Sequence, residues 1–145
     1  MTIRQATKQD VASVVRLALL LWPENDPHEL SAELAPLLDG PGAAVFLCED
    51  DGRAVGFAQC QLRRDYVEGC ETSPVGYLEG VFVEETHRRL GAARALVAAC
   101  QDWAGMQGCR EFASDCELDN TDSLRFHLNV GFEEANRIIC FIKPL

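Results

Sequence analysis

A strand-like run from Tyr77 to Val83 leads into the basic turn Arg88-Arg89-Leu90-Gly91-Ala92-Ala93, a helical run from Arg94 to Gln107, and a second strand-like run from Glu111 to Cys116. A strand, a crossover helix and another strand make parallel neighbours in one sheet, almost always with a right-handed crossing, so this unit predicts two strands side by side in a mixed sheet. The turn itself reads as an anion cradle. The first amides of a helix have no intrahelical partner and sit at the positive end of its dipole, and Gly91 with two alanines leaves their approach open. The spacing is neither G-x-x-x-x-G-K-[ST] nor G-x-G-x-x-G, both of which are absent from the chain.

The remaining segments follow by periodicity. Ile3 to Ala6 reads as a first strand, and Thr7 with Asp10 opens a helix that runs to about Leu21 and is ended by Pro23. Val11, Val14, Val15, Ala18 and Leu19 recur there at helical spacing, which predicts a core-facing stripe. A second helix is expected over 27–38, with Leu30, Leu34, Leu37 and Leu38 inward and Pro36 weakening its last turn. Ala43 to Glu49 and Arg53 to Arg64, joined across Asp51-Gly52, read as a hairpin. Asn120 to Asn129 reads as a short helix stopped near Gly131, and Phe132 to Ile142 as a final strand. The expected order is β-α-α-β-β-β-α-β-α-β in one domain over 1–145, an α/β chain of the mixed α+β kind.

Composition narrows the partners. With 23 acidic against 13 basic residues the net charge is −10, which argues against nucleic acid or an anionic membrane surface and suits a cationic ligand. No apolar run has the length of a membrane span, and Met1 to Arg4 lacks a signal-peptide layout, so a cytoplasmic location is expected. Seven cysteines without a C-x-x-C pair give no metal spacing and no disulfide framework; Cys60, Cys100, Cys116 and Cys140 lie in apolar stretches and read as small core residues.

Arg88-x-x-Gly91-x-Ala93 resembles the [QR]-x-x-G-x-[GA] signature of the acetyl-coenzyme A loop in the GCN5-related N-acetyltransferases. Asn120-x-x-Ser123-x-x-x-His127-x-x-x-Gly131-Phe132 resembles the same family's N-x-x-A-x-x-x-Y-x-x-x-G-F pattern, with Ser123 for Ala and His127 for Tyr. The element order agrees along essentially the whole chain. The resemblance implies acetyl-CoA as cosubstrate, held where two parallel strands splay apart. Its pyrophosphate would lie on the amides of Arg89, Leu90, Gly91, Ala92, Ala93 and Arg94, its pantetheine along Val81, Phe82 and Val83, with Asn120 a further contact. His127 would take the place of the tyrosine that protonates the departing thiolate; a histidine can donate a proton near neutral pH, but it can equally be a packed helix residue.

Within that family the chain is most similar to the aminoglycoside 6′-N-acetyltransferases. Leu21-Trp22-Pro23, Arg64-Asp65-Tyr66-Val67, Leu78-Glu79-Gly80-Val81-Phe82-Val83 and Ala113-Ser114-Asp115 carry this narrower resemblance. It implies an acceptor pocket lined by Trp22, Tyr66, Glu79 and Asp115, with Asn136 at a further position where relatives can have Glu. The residue types suit a hydroxylated polycation, which needs carboxylates and a flat aromatic face. Glu79 inside an apolar strand is costly unless paired or wet, Asp115 can also serve as a loop cap, and Trp22 can close the first helix against the core. Glu79 or Asp115 would deprotonate the incoming ammonium, and a backbone amide near Val81 would face the carbonyl oxygen as charge develops. A polyamine, small-metabolite or protein amine as acceptor, and a nonenzymatic acetyl-CoA-binding module, stay open at this point. Relatives are commonly dimers, so a homodimer is expected. No metal is.

Overall fold

The computed structural model describes residues 1–145. The strands are β1 (Thr2–Gln5), β2 (Ala43–Asp50), β3 (Arg53–Arg63), β4 (Val75–Val83) and β5 (Phe112–Ala113); the helices are α1 (Val11–Leu21), α2 (Pro27–Asp39), α3 (Ala92–Met106) and α4 (Thr121–Asn129). The five strands form one sheet in sequence order, antiparallel from β1 to β4, with β4 and β5 parallel. The crossover unit read from the sequence is therefore present, with α3 as its helix.

Each element has a local cause. Asp51 and Gly52 both take positive φ, 50° and 77°, which closes β2 and β3 in a two-residue hairpin of matching twist. Asp26 caps α2 by accepting from the Glu29 amide at 3.0 Å, and Pro27 begins the helix where its missing N–H costs nothing. Pro36 sits inside α2 without ending it, so the helix extends to Asp39.

The helices cover both faces of the sheet. On one face Val14, Leu17 and Ala18 of α1 and Leu30, Leu34 and Leu38 of α2 pack with Val45, Leu47 and Phe57. On the other, Ala92, Leu96, Val97 and Cys100 of α3 pack with Cys48, Ala58, Cys60 and Leu78, and Phe126, Val130 and Phe132 join from the α4 region. Phe57, Leu17, Leu34, Leu47 and Leu96 are wholly buried, and removing such side chains typically costs about 2–5 kcal/mol each.

Three expectations need correction. The parallel strand predicted over 111–116 is reduced to Phe112–Ala113, because only Gly76↔Phe112 and Tyr77↔Ala113 are paired before the two strands part. The final strand predicted over 132–142 is absent: after Phe132 stacks on Phe112 at 5.7 Å, residues 133–145 run without a ladder partner. Its apolar residues therefore stand in solvent, Phe141 at 89% and Ile142 at 93% exposure. Of the four cysteines assigned to the core, Cys60 and Cys100 are buried, but Cys116 follows the point where β5 ends and Cys140 lies in the unpaired tail, so both are exposed.

An ion-pair cluster ties the first helix to the sheet. Arg53 reaches both Glu84 carboxylate oxygens at 2.8 Å, and Arg16 of α1 meets the same carboxylate at 2.7 Å while donating to Ala54 O at 2.6 Å. The Arg53 guanidinium foremost, and Arg16 with it, hold the Glu84 carboxyl below the usual carboxylate range. A carboxyl with a depressed folded-state pKa contributes stability that is complete above its unfolded value and lost as pH falls through the folded one. Thermal unfolding of Glu84→Gln should accordingly show a melting temperature about 3 °C below wild type at pH 7. That gap should close as the pH falls below the ordinary carboxylate range, whereas a gap independent of pH would rule out the ion pairs as its source.

Candidate active site

β4 supplies the centre of the site. Its pairing with β5 ends at Tyr77↔Ala113, yet β4 continues to Val83, so its outer backbone beyond Tyr77 borders a wedge rather than a neighbouring strand. Ser114, the first residue past β5, places its hydroxyl 3.2 Å from Leu78 O at the apex of that wedge. Val81 and Phe82 are half-buried along it and Val83 is buried at its far end.

Beyond β4, Arg89 and Gly91 take left-handed φ values of 64° and 85°, and Gly91 caps α3. The first bond of the helix runs from the Ala95 amide to Gly91 O at 3.0 Å, which leaves the preceding amides of the turn without intrahelical partners. Glycine carries the left-handed cap without strain. Arg88 turns back to donate to Val83 O at 2.8 Å, and Arg94 donates to Asn129 O at 2.6 Å, joining the start of α3 to the end of α4. Arg88, Arg89 and Leu90 are exposed around the turn, while Gly91 leaves the backbone there without a side chain. The diphosphate of acetyl-CoA fits such a turn: free amides, a helix dipole and arginines at its border.

On the α1–α2 face, the carboxylates are organised by two residues that the sequence reading did not single out. Arg63 of β3 contacts both oxygens of Glu79, one of them at 2.9 Å, and its guanidinium lies 3.4 Å over the Tyr77 ring. Tyr77 donates its hydroxyl hydrogen to Asp115. Burial first, and the bond to Asp115 next, push the Tyr77 phenol well above its usual range, so it stays a neutral donor at working pH. Glu79 in β4 and Asp115, just past the end of β5, are thus linked through one cation and one phenol.

Trp22 lies against the same wall. It meets Phe57 edge-to-face at 6.1 Å, and a Cβ on Gly80 would come within 2.7 Å of its indole ring, so the absence of a side chain at 80 is what lets the ring lie on β4. The ring closes α1 against the core and lines, with Glu79, a cavity of about 440 Å³.

The other expected residues are placed less centrally. Tyr66 is 76% exposed in the loop between β3 and β4, held near the sheet by the buried Val67. Asn136 donates to Glu68 of that loop at 2.6 Å and accepts from the Arg137 amide at 2.8 Å. Asn120 caps α4 by accepting from the Ser123 amide at 3.1 Å. No group of three or more His, Cys, Asp or Glu side chains is arranged to hold a metal ion, and no helix is long and apolar enough to cross a membrane.

His127 faces the apex of the wedge from α4. Its Nδ1 lies 2.7 Å from Ser123 O, so that nitrogen carries hydrogen, because a carbonyl can only accept. Its Nε2 lies 2.8 Å from Ser114 Oγ. In the neutral ring Nε2 accepts from Ser114; in the imidazolium it donates to Ser114, whose own hydrogen then turns to Leu78 O. Either arrangement satisfies every donor in this hydrogen-bonded chain.

A parallel pair that opens beside a left-handed helix cap, with a titratable chain at its apex, defines an acyltransferase-like architecture. The chain belongs to the acetyltransferase (GNAT) family, whose family model matches residues 11–132. It is 47% identical over 146 residues to an aminoglycoside N(6′)-acetyltransferase type 1 of Stenotrophomonas maltophilia, covering 99% of this chain and 94% of that one. It is 44% identical over 130 residues to the protein of the same name from Serratia marcescens, with 89% of each covered. Among solved structures it is similar to aminoglycoside acetyltransferase AAC(6′)-Iy in complex with a bisubstrate analogue, CoA-S-monomethyl-acetylneamine, at a TM-score of 0.95 and 40% identity over 99% of this chain and 98% of that one.

Proposed function

We propose that this chain, as a single domain over 1–145, is an acetyl-CoA-dependent aminoglycoside 6′-N-acetyltransferase and that it confers resistance by modifying the drug in the cytoplasm. The observation that carries this reading is the linked pair Glu79 and Asp115 beside the opening between β4 and β5, since it sets acid-lined acceptor space against the place where a thioester would lie. Its full-length similarity to enzymes of that name supports the substrate class.

Acetyl-CoA, when bound, supplies the acyl thioester. The turn from Arg89 to Arg94 would hold its diphosphate, the edge of β4 from Val81 to Val83 would align its pantetheine, and Asn120 would border it. Trp22, Glu79 and Asp115 would bind the cationic acceptor, with Tyr66 and Asn136 at the rim. The reacting amine arrives as ammonium. Glu79 or Asp115, directly or through water, takes its proton; the amine nitrogen then bonds to the carbonyl carbon as the carbon–sulfur bond breaks, and the nitrogen's second proton leaves to water as the neutral amide forms. A backbone amide near Val81 faces the oxygen while charge develops there. From the imidazolium form, His127 passes the Nε2 proton to Ser114 Oγ as the serine hydroxyl proton goes to the departing sulfur. Alignment of the two substrates supplies much of the acceleration.

Initial rates of thiol release with an aminoglycoside, a polyamine and a basic peptide, with mapping of the acetylated nitrogen, test the assignment. The aminoglycoside should be acetylated at its 6′ amine with the highest kcat/KM; preference for either other acceptor, or acetyl-CoA binding without thiol release, would overturn it. In the same assay Glu79→Gln and Asp115→Asn should each lower kcat/KM for the drug by about 10–100-fold, and His127→Ala and Ser114→Ala should lower kcat by about tenfold with acetyl-CoA affinity retained. Wild-type turnover in all four would remove these roles.

The protein is further proposed to work as a homodimer. Ile138, Ile139, Phe141, Ile142 and Leu145 are at least 63% exposed in a tail without ladder partners, and β5 is paired on one side only, by β4. A second copy of the tail can bury these side chains and pair the open edge. Light-scattering mass should double that of one chain. Phe141→Asp with Ile142→Asp should bring it back to the single-chain mass; a wild-type mass of one chain would contradict the proposal.

A further inference from the structure

The cavity beside Glu79 extends well past the carboxylate pair. Its floor is β3 and β4, through Gln59, Gln61 and Glu79; its outer wall is α2, through Leu30, Glu33, Leu34 and Leu37; Trp22 and Asn25 close its side. At about 440 Å³ it has the capacity of a small-molecule site.

Gln59 is the unusual member. It is 8% exposed and follows the fully buried Phe57 on the same face of β3. Its side-chain amide makes no hydrogen bond within the protein, yet no polar atom of the chain is sealed from solvent without a partner, so the amide opens on the cavity. A leucine there would continue the core. Because the amide faces the cavity, a polar occupant can bond it where the surrounding leucines cannot, so the position favours a cavity that holds polar matter. Glu33 lies across from it on α2. Unlike Glu79, which is met by Arg63, the Glu33 carboxylate has no ion-pair partner.

We infer that this cavity is a second acceptor subsite, distinct from the place where the reacting amine sits. It takes a sugar ring remote from that amine, with Glu33 receiving a ring ammonium, Gln59 and Gln61 bonding ring hydroxyls, and the leucines and Trp22 covering its apolar faces. The inference rests on the acetyltransferase reading above and adds the residues that set which acceptors fit. It explains why the sheet face changes from Phe57 to Gln59 and Gln61 as it approaches Glu79, while Glu33, exposed on α2, stands free to meet a cation at the cavity mouth.

The test uses Glu33→Gln and Gln59→Leu in the full chain, at saturating acetyl-CoA, with the two-ring acceptor neamine and the three-ring acceptor kanamycin. Each substitution should raise KM for kanamycin about tenfold, the equivalent of about 1.4 kcal/mol, with a clearly smaller rise for neamine. The effect should fall on KM for the acceptor and leave KM for acetyl-CoA in place. Gln59→Leu should match or exceed the thermal stability of wild type, because it removes an unpartnered amide from the sheet. Equal KM changes for the two acceptors, or none, would overturn the subsite. Failure of the parent reading has a different signature: wild-type protein would acetylate neither drug. Calorimetric titration of kanamycin into wild type and both variants would then still decide the subsite, with equal affinities counting against it.

Discussion

Two residue pairs, Gly76 with Phe112 and Tyr77 with Ala113, hold β5 to β4, and the site depends on how short that contact is. A longer ladder would consume the outer edge of β4 and leave no wedge between the strands. Without any ladder, Ser114 and Asp115 would not stand beside Leu78 and Tyr77. The parallel pair is closed enough to bring chemistry from two strands together and open enough to admit a substrate between them. The crossover helix fixes its other requirement, because the turn that begins α3 follows from β4 and leaves its first amides free.

Electrostatics at this junction are arranged in sequence rather than by bare opposition of charge. Glu79 inside the sheet would carry a large desolvation cost alone, and Arg63 offsets it while stacking on Tyr77. Tyr77 in turn orients Asp115. On the proposed reading, an arriving polycation meets carboxylates that are already held in place, one of them shared with an internal guanidinium. Glu33, unpaired in the adjoining cavity, extends the same acidic surface along α2.

Much of this was legible in the sequence because it is set by local signals. The crossover unit followed from two apolar runs around a helix with Gly91 before it, and the hairpin followed from Asp51-Gly52. The resemblance in the family motifs directed attention to Glu79, Asp115 and His127. Contacts across strands were not legible. Nothing in the spacing of Arg63, Tyr77 and Ser114 reveals that they join those residues, although the alternation Phe57, Gln59, Gln61, Arg63 does mark a face that turns polar toward one end. The last segment misled for a physical reason: the apolar run Ile138 to Ile142 reads as a strand, but a strand needs a neighbour, and within this chain the segment pairs with none although β5 is paired on one side only. An apolar run specifies that residues are to be buried, and it does not say against what.

Tyr77→Phe is the most direct probe of the junction, since it removes the hydrogen bond to Asp115 and keeps the aromatic ring beneath Arg63. The measurement is kcat/KM for the aminoglycoside together with the affinity for acetyl-CoA. The account predicts a loss of about tenfold in acceptor kcat/KM, as expected for one hydrogen bond that positions a reacting carboxylate, with acetyl-CoA affinity unchanged. Wild-type acceptor kinetics in that variant would contradict the claim that Tyr77 couples the two strands into one site.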